Sequence, residues 1–165
     1  MTTETKTTEK RVIMDHEKLD VYQTAIEFVV LADEVIEHLP RGKAYLSDQL
    51  QRAASSISLN IAEGAGEYAV DEKARFYRMA KRSATECAGI LDVCQRLQLV
   101  EEKRYIKGRE LLIRIVSMLV IHNVIALLFK ETRVDRAEEK GLLPKIRSIL
   151  RSPNERGRAS KRSKP

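Results

Sequence analysis

Three short breaks constrain this chain more than any other feature. Leu39-Pro40-Arg41-Gly42-Lys43, Gly64-Ala65-Gly66 running on to Asp71, and Val100-Glu101-Glu102 separate four stretches whose apolar residues recur every three or four positions. The first predicted helix spans about His16–Leu39, carries Leu19, Tyr22, Ile26, Val29, Val30 and Ile36 at that spacing, and ends at Pro40, whose ring cannot continue a helix. The second spans about Leu46–Glu63, with Ser47 as a plausible cap. It sets Leu46, Leu50, Ala53, Ala54, Ile57, Ile61 and Gly64 on one stripe, small enough for a neighbouring helix to approach closely. The third runs from about Asp71, a good N-cap, to Leu99, with Phe76, Met79, Ala80, Ser83, Cys87, Ile90, Leu91, Cys94 and Leu97 inward.

The fourth stretch, about Glu102–Phe129, is different. Between Leu111 and Phe129 only Arg114, Ser117, His122 and Asn123 are polar, so it is apolar nearly all round. A mid-segment arginine and a His-Asn pair are expensive in lipid, and there is no partner span. A helix covered on two sides, by its own bundle and by another subunit, satisfies the pattern without that cost. Four long helices with short connections give an all-α, antiparallel up-down-up-down four-helix bundle, here expected to form a homo-oligomer. The expected organisation is an N-terminal arm over residues 1–15, the bundle over 16–132, and a C-terminal tail over 133–165.

Composition agrees with helices: there are eight aromatic residues and no Trp. The opening Met1-Thr-Thr-Glu-Thr-Lys has neither the apolar core of a secretory signal nor the character of a transit peptide, so a cytoplasmic location is expected. Cys87 and Cys94 lie seven apart on one predicted helix, roughly 10 Å and beyond disulfide reach, and read as reduced core residues. Of the net charge of +6, residues 141–165 carry +7, from eight Lys or Arg against Glu155, which leaves the rest at −1. The tail is the basic object.

Two strings are more specific than periodicity. Ser56-Ile57-Ser58-Leu59-Asn60-Ile61-Ala62-Glu63-Gly64 and Phe76-Tyr77-Arg78-Met79-Ala80-Lys81-Arg82-Ser83-Ala84-Thr85-Glu86, with Lys18-Leu19-Asp20-Val21-Tyr22 ahead of them, resemble the bacterial four helix bundle protein family over about residues 16–130. That family includes proteins encoded in intervening sequences of large-subunit ribosomal RNA genes and the accessory variability determinant of diversity-generating retroelements. The resemblance implies a pentameric barrel of bundles with basic surfaces. For the retroelement branch it also implies binding to a reverse transcriptase and to its template RNA or DNA. Tyr77 and Arg78 depart from the more ordinary residues of the pattern, as does the basic tail, and no motif distinguishes the two branches.

Two basic surfaces are candidates for contact with RNA or DNA. On a wheel of the third helix with Arg75 at zero and about 100° per residue, Arg78 and Arg96 fall near 300°, Arg82 near 340° and Lys81 near 240°, away from the apolar centre near 110°. Such a row can neutralise a phosphate backbone, although charged stripes are more often simply solvated faces. In the tail, Arg151, Arg156, Arg158, Lys161, Arg162 and Lys164 are spaced by Ser, Gly, Asn and Pro, the composition of an arm that follows phosphates without reading bases. A solubilising tail has the same look. No stacking aromatics lie in it, which argues against sequence-specific single-strand recognition.

Asn60 and Asn123 fall within apolar stripes and should find hydrogen-bond partners, setting register or oligomeric state. Arg109 needs a carboxylate, for which Glu63 and Glu86 are candidates. No cofactor or metal is expected: a di-iron bundle needs Glu-x-x-His pairs, and none of His16, His38 and His122 has a Glu three residues earlier. His38, next to Pro40, reads as a helix C-terminal residue. Without a phosphate-binding glycine loop, a nucleophile elbow or zinc spacing, the chain reads as a binding protein and not an enzyme. A scaffold that contacts only proteins is the alternative.

Overall fold

The computed structural model describes residues 13–131, with side chains through 125. Four helices, α1 (Asp20–Glu37), α2 (Ala44–Gly66), α3 (Val70–Arg96) and α4 (Glu102–Glu131), make up the fold, and no strand occurs among the described residues. Each helix packs against the two adjacent to it in a closed square, α1 on α2, α2 on α3, α3 on α4 and α4 back on α1. The bundle is antiparallel throughout, as short connections require.

The helix ends differ from the sequence expectation in instructive ways. Residues Asp15–Lys18 form a separate 3-10 turn, because Leu19 is extended and breaks the helix that was expected to start at His16. α2 begins at Ala44, behind a 3-10 turn over Arg41–Lys43 that follows Pro40, so Ser47 lies inside the helix and not at its cap. The N-cap of α3 is Ala69, two residues before the expected Asp71. Asp71 therefore sits in the first turn, where its charge faces the positive end of the helix. α3 stops at Arg96: Gln98 adopts a left-handed φ of 55°, its N–H donates to the Gln95 carbonyl and the Leu99 N–H donates to the Cys94 carbonyl. These two bonds close a Schellman turn without the usual glycine. His38 ends α1, with its ring Nδ1 2.7 Å from the Glu34 carbonyl oxygen, as its place beside Pro40 indicated.

The core is built from Val21, Ala25, Phe28, Leu31, Ala32 and Val35 of α1, the α2 stripe from Leu46 to Gly64, Ala80, Ala84, Cys87, Leu91 and Cys94 of α3, and Leu111, Leu112, Ile115 and Leu119 of α4. The α2 stripe is the one read from sequence. The α1 stripe is not: Ile26 and Val30 are exposed, and Tyr22, Val29 and Ile36 are only half-buried. On α3 the buried face is also turned from its expected phase. Tyr77 and the small Ala74 and Ala84 go inside, while Met79 and Leu97 are exposed. α4 is apolar on its outer side as well as its inner one, with Ile106, Ile113, Val120 and Val124 exposed. No helix among the described residues is long and apolar enough to cross a membrane.

Candidate nucleic-acid interface

The outward side of α3 carries Arg75, Arg78, Arg82 and Arg96, all exposed, with Lys81 half-buried at the edge. Arg75 is partly neutralised: its Nη1 lies 3.0 Å from Glu72 Oε2, and its guanidinium carbon stands 5.9 Å from the centre of the Phe76 ring. Arg78, Lys81, Arg82 and Arg96 form no ion pair with another described residue. At the helical rise, Arg75 to Arg82 covers about 10 Å and Arg82 to Arg96 about 21 Å. On the same face of the longer interval stand the exposed acid Glu86, one turn after Arg82, and the uncharged Gly89 and Val93. The row is therefore a cluster of basic groups near the start of α3 plus one outlier near its end.

The tail residues Arg151, Arg156, Arg158, Lys161, Arg162 and Lys164 lie outside the described residues.

Beneath the basic row, a polar link joins α3 to α2. Asn60 is buried in the α2 stripe and its amide donates to the Ser56 carbonyl at 2.7 Å and to Ser56 Oγ at 3.0 Å. The Ser83 hydroxyl donates to the same Ser56 Oγ at 2.9 Å. Asn60 thus has hydrogen-bond partners, though both lie one turn back on its own helix. The buried Oδ1 of Asn123 has no hydrogen-bond partner among the described residues.

The expected pairing of Arg109 with Glu63 or Glu86 is replaced by one with Asp92, at 3.7 Å. Antiparallel packing of α3 and α4 brings Asp92 opposite both Arg109 and Tyr105, whose hydroxyl donates to Asp92 Oδ1 at 2.9 Å. That bond to a carboxylate pushes the Tyr105 hydroxyl pKa up. Glu63 and Glu86 are exposed. Gln95 and Glu102 close the same seam by a side-chain hydrogen bond. Asp92 escaped the sequence reading, since only the register of α3 on α4 singles it out from other acids.

Deeper in the bundle, Tyr77 packs on His122 with ring centres 5.5 Å apart. Burial, and secondarily the charge of Lys73, hold the His122 pKa below the ordinary histidine range. The Cys87 thiol is pushed up to about 12, chiefly by burial, which keeps it protonated and a poor nucleophile. Among the described residues there is no group of three or more His, Cys, Asp or Glu that could hold a metal ion.

The family model described as 23S rRNA-intervening sequence protein matches residues 17–121. No curated protein matches the chain.

Proposed function

This chain belongs to the 23S rRNA-intervening sequence protein family, and from that premise we propose that it is a non-enzymatic, self-associating accessory protein of the cytoplasm that binds RNA or DNA through its phosphates. The observation that carries the reading is the set of basic side chains on the outer side of α3 that no described acid neutralises. An exposed, unpaired guanidinium is free to displace a counterion from a phosphate. Repetition of the row around an assembly, for which the resemblance gives a pentameric barrel, turns several weak contacts into a joint one. The basic tail adds a second set of charges to the same polyanion. In a retroelement setting, the nucleic acid so held is delivered to a reverse transcriptase.

Titration of the full chain, and of a version ending at Glu139, against structured RNA and duplex DNA at two salt concentrations tests this, with mass followed by light scattering. Submicromolar binding that weakens steeply with salt is the expected result. Its loss on truncation would place the contact in the tail. No binding by either form, with the assembly intact, would leave a protein scaffold.

A further inference from the structure

Among the described residues two long apolar strips are exposed. One is a ridge on the outer side of α4, where Ile106, Ile113, Val120 and Val124 are exposed, Ile113 by 60%. The first three recur every seven residues, a spacing that keeps them in line along a helix, and Val124 follows one turn later. The other is a groove between α1 and α2, about 330 Å³ in volume, walled by Val29, Val30 and Ile36 and floored by Ala54 and Ser55. Ile26, one turn before Val30, and Leu59, one turn after Ser55, extend it as exposed apolar side chains. Branched side chains at seven-residue spacing fit a groove with a small-residue floor as knobs fit holes.

The charges beside the two strips are opposite. From Asp20 to Glu37, α1 has five acids and not one Lys or Arg. Asp33 is in the groove wall and Glu37 stands one turn further on. On the α2 side, Asp48 and Arg52 are both exposed and offset each other. Along the ridge, Lys103, Lys107 and Arg114 are exposed and form no ion pair with another described residue, against two exposed acids, Glu102 and Glu110.

We infer that the α4 ridge of one copy of this chain docks in the α1–α2 groove of a second copy, with Lys103, Lys107 and Arg114 beside the acidic edge of α1. The two halves of the contact sit on different helices of one chain. Pairing is therefore head to tail, and each added copy offers a fresh groove or ridge until the series closes into a ring. This specifies the contact within the self-association proposed above, and rests on it.

Two full-length variants test the pairing. Val30→Glu puts a charge in the groove and Ile113→Glu puts one on the ridge; both positions are exposed, so helicity measured by circular dichroism should be kept. Light scattering should find the wild type multimeric and each variant alone monomeric. A one-to-one mixture should form a dimer and nothing larger, because the intact ridge of the Val30→Glu chain fits the intact groove of the Ile113→Glu chain. Should either glutamate lower the helicity, Val30→Gln and Ile113→Gln carry the same test. A mixture that stays monomeric, or a Val30→Glu chain that keeps the wild-type mass, overturns the pairing while leaving self-association intact. A monomeric wild type overturns self-association itself.

Discussion

The Tyr77 ring lies directly over the backbone of Gly64: a side-chain carbon built on Gly64 would be 2.7 Å from Tyr77 Cε1 and 2.9 Å from Cδ1. Tyr77 is buried and packs on His122, so it has little room to retreat. Gly64→Ala should therefore cost about 1–2 kcal/mol, the overpacking penalty less the helix propensity gained. Gly108→Ala meets Leu91 Cδ1 at 2.8 Å and Leu31 Cδ2 at 3.3 Å, and Leu91 is itself fully buried, so this change should also cost about 1–2 kcal/mol. Gly89, inside α3, has open space around it, and Gly89→Ala should gain about 0.5–1 kcal/mol. Urea denaturation ranks the three, and a Gly64→Ala chain as stable as its parent would contradict this account.

The Ser83 to Ser56 hydrogen bond is a side-chain bond that ties α2 to α3. Ser56 Oγ also accepts from Asn60, so removing Ser56 deprives two donors, whereas removing Ser83 deprives one acceptor. Ser56→Ala should be the more damaging, at about 1–3 kcal/mol, with Ser83→Ala near 1 kcal/mol. A double-mutant cycle should return a coupling of about 0.5–1.5 kcal/mol. A coupling of zero would mean that the two hydroxyls do not sense each other.

His122 gives stability a pH dependence whose sign follows from burial. Its pKa is lowered in the folded chain, first by desolvation and then by Lys73, so the unfolded chain takes up the proton more readily. The stabilisation is fully present above the unfolded histidine value, about 6.5, and is lost as pH falls toward the lower folded value. Melting temperature should drop between pH 7.5 and 5 more steeply in the parent than in His122→Gln. Parallel curves for the two chains would remove His122 from the explanation.

For the α3 row, each phosphate contact contributes close to one unit to the slope of log affinity against log salt. Replacing Arg78 and Arg82 together by Gln should flatten that slope by about 2 for both RNA and DNA. Both side chains are exposed, so the melting temperature should hardly move. An unchanged slope would assign the binding to other residues.

Sequence pattern located all four helices because Pro40, the segment from Gly64 to Asp71 and the Val100–Glu102 turn punctuate an otherwise steady periodicity, although α2 runs on through Gly66 before it breaks. It chose the buried side well on α2, whose small and apolar residues share one stripe. On α1 it chose badly, since that helix has two apolar stripes and periodicity alone cannot say which one the bundle takes. The stripe left outside, with Ile26 and Val30, is the wall of the groove. On α3 the bulk of Phe76 and Met79 drew the inward face away from Ala74, Tyr77 and Ala84, whose burial depends on how closely α2 and α4 approach. The ion pair of Arg109 with Asp92 needed the register of two helices, which no single-helix wheel contains.

The square order of the helices also shapes how the chain folds. Three of its four faces join helices that are consecutive in the chain, and closing them costs only the entropy of short loops. The fourth, α1 on α4, is the one long-range closure, where Gly108 receives Leu31 and Phe28. Such a topology has low contact order and folds fast. The seam is then the last face to form, and Leu31→Ala should speed unfolding far more than it slows folding in a chevron measurement. The face that closes the bundle is also the one from which it opens.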